Sequence, residues 1–79
     1  MDRKAVIMSY IEKDILRGRK ANLSENDDLL SAGIIDSLGI LQLVAFIDEQ
    51  FGIQVPDEDV VIENFQSVNA LASYLEQFN

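Results

Sequence analysis

Cysteine, histidine and tryptophan are absent from the 79 residues, and each absence closes off some chemistry. Without cysteine, neither disulfides nor thiolate metal ligands can reinforce a small core. Without histidine, the usual general base and the commonest zinc ligand are missing. Long apolar runs are also lacking. The longest, Leu43 to Ile47, is far too short to span a bilayer, and the opening "MDRKAVIMSY" holds no apolar stretch of signal-peptide length. A cytoplasmic protein with no membrane span is therefore expected. Asn22-Leu23-Ser24 fits the glycosylation pattern, but with no secretion signal it is read as chance.

Positive charge is missing from most of the chain. All six basic residues (Arg3, Lys4, Lys13, Arg17, Arg19 and Lys20) fall within the first twenty positions, and from Ala21 onward there are eleven acids and no base. The net charge is −8. Nucleic acid is thus not expected as a partner, because no basic footprint covers the bulk of the chain. Acids of this kind keep a small domain soluble, and they also suit a basic partner surface, with steering that weakens as salt rises. No metal site is expected. Neither Glu25 to Asp28 nor Asp57 to Asp59 has the spaced acids, turn glycine and distal glutamate of a calcium loop.

What is present is helical periodicity on a chain short enough for one domain, residues 1–79. Val6, Ile7, Tyr10, Ile11 and Ile15 share one face and predict a first helix over about residues 3 to 17, ended by Gly18, with basic residues in its last turn. Residues 18 to 36 lack periodicity, and Leu23, Leu29, Leu30, Ile34 and Ile35 are expected to pin this long connection to the core. A second helix is predicted from Ser37 to Phe51, with Gly52 as its stop. "IQVP" reads as an extended link, and Asp57 to Ile62 as one or two helical turns. Ser67 caps a last helix whose stripe is Val68, Leu71, Ala72, Leu75 and Phe78. The expected fold is all-α: a small monomeric four-helix bundle, three main helices and a short one, with a long loop between the first two.

The second helix is more apolar than one buried face requires. At about 100° per residue, with Ile40 at the origin, Leu43, Val44, Ile47 and Phe51 lie within about 60° and form the core stripe. Leu38, Leu41 and Ala45 fall at about 160°, 100° and 140°, beside Gln42 and rimmed by Asp48 and Glu49. Such a patch suits partner docking, unless the long loop covers part of it, with Leu41 the first in question. Phe46, at about 240°, either fills space in the bundle or faces another helix. Gly39, a poor helix former, either permits a close approach or is tolerated at an exposed position.

Ser37 follows Asp36 at the start of this helix. Either residue can serve as the N-cap. A nucleophilic serine fails for want of a histidine or nearby lysine as base, and no paired catalytic groups can be assembled elsewhere, so no enzyme is expected. A third role places Asp36 at the cap and Ser37 one position inside, its hydroxyl outward and esterified to a phosphate that the helix start favours. The stretch "DDLLSAGIIDSL", with "IDEQFGIQVPDED" after it and "FQSVNALASYLEQ" at the end, resembles the acyl carrier protein family around its 4′-phosphopantetheine attachment serine. The resemblance covers most of the chain. It implies that a phosphopantetheinyl transferase loads Ser37 from coenzyme A, with Asp36 as the cap beside it, and that the arm's thiol holds an acyl group as a thioester. That would supply thiol chemistry to a chain with no thiol of its own.

Implied partners are the transferase, an acyl- or aminoacyl-loading ligase, and acyl-transferring or condensing enzymes with basic docking surfaces, all meeting Leu38, Leu41, Gln42, Ala45, Asp48 and Glu49. Fatty-acid carriers usually place acids soon after the serine; here those positions hold Gly39 and Gln42. "GIIDSLG" is more similar to free-standing carriers of aminoacyl or specialised acyl groups, D-alanyl carriers included. Fatty acyl, polyketide and amino-acid cargo all stay open. The rival class is an unmodified helical adaptor that uses the apolar patch alone.

Overall fold

The structure, a computed structural model, describes residues 2–17 and 23–78. Among these the chain forms four helices and no strand: α1 (Arg3–Tyr10), α2 (Ser37–Phe51), α3 (Ile62–Phe65) and α4 (Val68–Leu75). The all-helical bundle is the expected one. No helix among the described residues is long and apolar enough to cross a membrane.

α1 starts where the Asp2 side chain accepts the Lys4 N–H, and it continues beyond Tyr10 in a wider, π-helical turn over Ile11–Ile15. There the Leu16 N–H reaches back five residues to the Ile11 carbonyl at 2.8 Å. The wider turn carries Leu16 onto the core face, where it is buried with Ile7 and Ile11. Val6, Tyr10 and Ile15 are only half-buried. A strict 3.6-residue period therefore places Ile15 too deep and misses Leu16. The helical run ends at Arg17, in left-handed backbone at φ 52°. Gly18, expected to end it, lies outside the described residues, as do Arg19 and Lys20.

Arg3 joins three helices. Its Nη1 donates to the Leu75 carbonyl at 3.1 Å, and its guanidinium lies 5.5 Å from the centre of the Phe51 ring. A cation is thus held at the C-terminal end of α4, where the carbonyl dipoles favour it.

The described part of the long connection is tied down as expected. Leu23, Leu29, Ile34 and Ile35 are buried, and Leu30 packs against them half-buried. The Asp28 carboxylate accepts from the Ser31 N–H at 2.9 Å and from Gln66 Nε2 at 3.2 Å, and these bonds hold its pKa below the ordinary carboxylate value. Backbone bonds from Leu29 N–H to the Gln66 carbonyl (2.7 Å) and from Asn69 N–H to the Glu25 carbonyl (3.0 Å) lash the loop to the start of α4.

α2 has the expected bounds, ending on Gly52 in left-handed backbone at φ 69°. After it, buried Ile53 and Val55 alternate with exposed Gln54 and Pro56, as an extended link requires. The next segment differs from expectation. Asp57 to Asp59 make only a 3₁₀ turn, the chain opens at Val60 and Val61, and α3 begins at Ile62 rather than ending there. Two bonds favour this break: Asn64 Nδ2 donates to the Asp59 carbonyl at 2.8 Å, and the Tyr74 hydroxyl donates to the Asp59 carboxylate at 2.6 Å. Ser67 caps α4 by accepting the Ala70 N–H at 3.0 Å. Val68, Leu71, Ala72 and Leu75 are buried as expected. Phe78 is not in the core. α4 passes into a 3₁₀ turn at Glu76–Phe78, which leaves that ring partly exposed, edge-on to Tyr74.

Gly39 is buried against the loop, not exposed. A Cβ there would stand 2.9 Å from the Cβ of Ile35, an atom fixed by its own backbone. Close approach is thus the role of this glycine. Gly39→Ala gains about 1 kcal/mol of helix propensity but overpacks a buried contact, which costs about 1–3 kcal/mol. A lowered urea midpoint is expected; a raised one would mean that Ile35 yields freely.

The Tyr74 phenol is pushed up to about 12, first by burial, then by its bond to Asp59 and by the charges of Asp59 and Glu58. The fold favours the protonated phenol, so its contribution is complete below the ordinary value of 10.0 and is lost as pH rises through about 12. Chemical denaturation across that alkaline window should show stability falling with pH, and Tyr74→Phe should flatten much of the fall.

Candidate functional site

The start of α2 is built by the nine residues before it, Asp28 to Asp36. Asp28 to Ala32 form a turn in which the Ala32 N–H bonds the Asp28 carbonyl at 2.9 Å. Gly33 then takes a left-handed φ of 72°, which suits a residue without a Cβ. This reversal sends Ile34 and Ile35 back into the core, where both their N–H groups bond the Leu29 carbonyl at 2.9 and 3.0 Å. Asp36 leaves the core in extended backbone and caps the helix, its Oδ1 accepting the Gly39 N–H at 2.9 Å. "GIID" thus has a physical reading: a turn, two anchors and a cap.

Ser37 is the first helical residue and is exposed. Because Asp36 does the capping, the Ser37 hydroxyl is not required for it. It stands at the positive end of a fifteen-residue helix, beside first-turn amides that have no intrahelical acceptor. An exposed hydroxyl, local positive potential and a rigid supporting turn together fit a phosphate ester. No histidine or cysteine is available to build catalytic machinery around it.

The six residues expected to face partners all lie on the surface. Leu38 and Leu41 are 64% and 62% exposed, and Gln42, Ala45, Asp48 and Glu49 are exposed as well. The described part of the long loop does not cover Leu41; its anchors share the core with Leu43 and Ile47 on the inner side of α2. Ile40, Val44 and Phe51 line the edge of the core half-buried, so the fully buried stripe is narrower than the wheel implies. Phe46 faces another helix. Its ring stacks on Tyr10 of α1 with centroids 4.0 Å apart and meets Phe51 edge-on at 6.1 Å. Sequence reasoning missed Val61 and Ile62, which are 41% and 64% exposed at the start of α3. The available signal was a pair of apolar residues directly after an acidic turn with no matching helical stripe.

Comparison with known proteins agrees with this geometry. The family described as "Phosphopantetheine attachment site" matches residues 11–75. A D-alanyl carrier protein of Streptococcus suis (strain 05ZYH33) is 30% identical over 73 residues, 92% of this chain and 90% of the relative. An acyl carrier protein of Bdellovibrio bacteriovorus is 43% identical over 58 residues, 73% of this chain and 67% of the relative. Among solved structures, one titled "Crystal structure of FAD-dependent dehydrogenase" contains a chain that superposes with a TM-score of 0.81 at 38% identity. The match covers 87% of this chain and 97% of that one, so the two are of similar length. Proteins of this kind carry groups for transferases and ligases and have no catalysis of their own. The chain therefore belongs to the phosphopantetheine-attachment family of carrier proteins: it is a carrier and not an enzyme, and its prosthetic group is 4′-phosphopantetheine.

Proposed function

We propose that Ser37 Oγ bears the 4′-phosphopantetheine and that the protein presents a small acyl group, held as a thioester, to partner enzymes that dock on the outward face of α2. The observation that carries this reading is the division of labour at the helix start. Asp36 takes the cap, and Ser37 stands exposed one residue later. When bound, the arm supplies a thiol that the polypeptide lacks. The protein's own residues hold the attachment point rigid through Ile34 and Ile35, and offer Leu38, Leu41 and Ala45 as apolar contacts, with Asp48 and Glu49 to steer basic partners. Small cargo is favoured because Leu43 and Ile47 on the inner face of α2, with Phe65 and Leu71 of the same core, are fully buried.

An aminoacyl group is a second reading, favoured by the D-alanyl carrier, which aligns over more of this chain than the acyl carrier does. The matched solved structure also supports an FAD-dependent dehydrogenase as a partner class. Such an enzyme would take two hydrogens from the carried acyl group and pass them to its flavin.

Incubation of the purified protein with coenzyme A and a broad-specificity phosphopantetheinyl transferase should add one phosphopantetheine to the wild type and none to Ser37→Ala, read by intact mass. No gain on folded wild type would return Ser37 to a plain first-turn serine and leave the adaptor reading. Leu38→Glu should keep the helical circular-dichroism signal and slow loading or transfer at least severalfold; unchanged rates would remove this face from docking. Acyl-loaded protein mixed with the dehydrogenase of the matched structure should lose two hydrogens in mass as the flavin bleaches, whereas an unaltered mass would dismiss that partner.

A further inference from the structure

All six bases of the chain lie in its first twenty residues, and the outward face of α2 uses none of them. Two have partners within the fold. Arg3 donates to the Leu75 carbonyl at 3.1 Å, and the Lys4 ammonium stands 3.8 Å from the Glu25 carboxylate. Lys13 and Arg17 are exposed at the far end of the same helical run. Asp14 aside, every charged residue from Lys13 to Lys20 is basic, in a chain of net charge −8.

Two grooves open where this end of the run meets α2. One, of about 390 Å³, is mainly apolar and is lined by Val6, Ser9, Tyr10, Lys13, Phe46 and Gln50 among others. The other, of about 460 Å³, is mainly polar and is lined by Asp14, Ile15, Arg17 and Gln42. Asp14 borders both, and Leu38 and Leu41 line neither. Gln42, Phe46 and Gln50 succeed one another at four-residue spacing, so α2 gives this seam a stripe of its own.

Three observations indicate what fits there. The first is the backbone. The π-helical turn over Ile11–Ile15 leads to Arg17 in left-handed backbone at φ 52°, unusual for arginine and ordinary for glycine. Widened turns and strained residues gather at functional sites. The second is charge. Asp14 and Glu49 act on the Tyr10 hydroxyl, whose pKa is raised first by burial and then by these two acids. A carboxylate is therefore disfavoured beside that ring and favoured near Lys13 and Arg17, while an uncharged apolar side chain can enter. The third is the aromatic wall: Tyr10 and Phe46, stacked at 4.0 Å, offer a flat surface of the kind that anchors a partner's side chain.

We propose that the α1–α2 seam is a second docking surface, which takes an acidic segment of a partner protein. One apolar side chain of that segment enters between Val6, Tyr10 and Phe46, and its flanking carboxylates meet Lys13 and Arg17. The two surfaces of the carrier then select partners of opposite charge, basic on the outward face of α2 and acidic on the seam. A protein bound at the seam can hold the carrier near an enzyme that works at the other face, which raises the effective concentration of that encounter.

The probe is a synthetic peptide with a central leucine pair flanked on both sides by glutamates, titrated into ¹⁵N-labelled protein. The largest amide shifts are expected at Val6, Ser9, Tyr10, Arg17 and Phe46, with affinity falling as salt rises. Lys13→Glu with Arg17→Glu should weaken binding about tenfold or more and gain affinity for a peptide whose glutamates are lysines. Arg17→Gln alone should show a smaller loss in the same direction. Replacing the leucine pair by serines should weaken the wild-type complex severalfold. The double variant should keep its helical circular-dichroism signal and still gain one phosphopantetheine, so failure of the seam is distinguishable from failure of the attachment reading. Shifts confined to Leu38 and Leu41, equal affinity of wild type and double variant, or a serine peptide that binds as well as the leucine one would each overturn the proposal. So would vesicles of phosphatidylglycerol that reproduce the shifts while the peptide produces none, because the seam would then be a membrane contact.

Discussion

Leu29 is the point on which the rest of the arrangement depends. Its side chain is fully buried, its carbonyl accepts both the Ile34 and Ile35 N–H groups, and its own N–H donates to the Gln66 carbonyl at 2.7 Å. One residue therefore ties the long connection to the start of α4 and also fixes where the chain enters α2. The attachment-site geometry follows from that knot. Two buried isoleucines hang on a single carbonyl, so Asp36 emerges in position to cap and Ser37 emerges outward. A buried backbone acceptor with two donors is well satisfied, and disturbing it would strand several polar groups at once.

α2 then serves three surroundings with three faces. Leu43 and Ile47 go into the core, Leu38 and Leu41 stand in solvent, and Phe46 turns toward Tyr10 of α1. No single stripe describes such a helix, which is why its apolar content exceeds what core packing needs. Asp48 and Glu49 stand beside the outward side, while the described cations, Arg3, Lys4, Lys13 and Arg17, belong to α1 and the turns that continue it. An acidic, apolar-centred face beside an exposed hydroxyl is a surface suited to brief and repeated encounters: charge speeds approach, and the small apolar centre limits residence.

Two of the places where periodic reasoning failed have local causes. In α1 the chain widens its last turn so that Leu16 rather than Ile15 enters the core; the contacts of that core, not helix propensity, reward the exchange. Between Pro56 and Phe65 the predicted turns arrive later and shorter. Asp59 is held by Tyr74 and its carbonyl by Asn64, and no pattern within the segment reveals partners up to fifteen residues away.

By itself the sequence determined the all-helical class, the bounds of α2, the cap at Ser67 and the loop anchors, and it offered Asp36 or Ser37 as the cap of α2 and Leu38 to Glu49 as an outward set with Leu41 open. These depend on interactions within a turn or two, or on the simple division of apolar from polar along a helix, and such rules act locally. Only the tertiary structure decided that Gly39 is a contact glycine, that Phe46 stacks on Tyr10, that Arg3 joins the ends of α2 and α4, and that grooves open along the α1–α2 seam. Each of those rests on which helix lies beside which. That choice is made by the packing of the whole core, and residues far apart in the chain share in it without leaving a periodic trace.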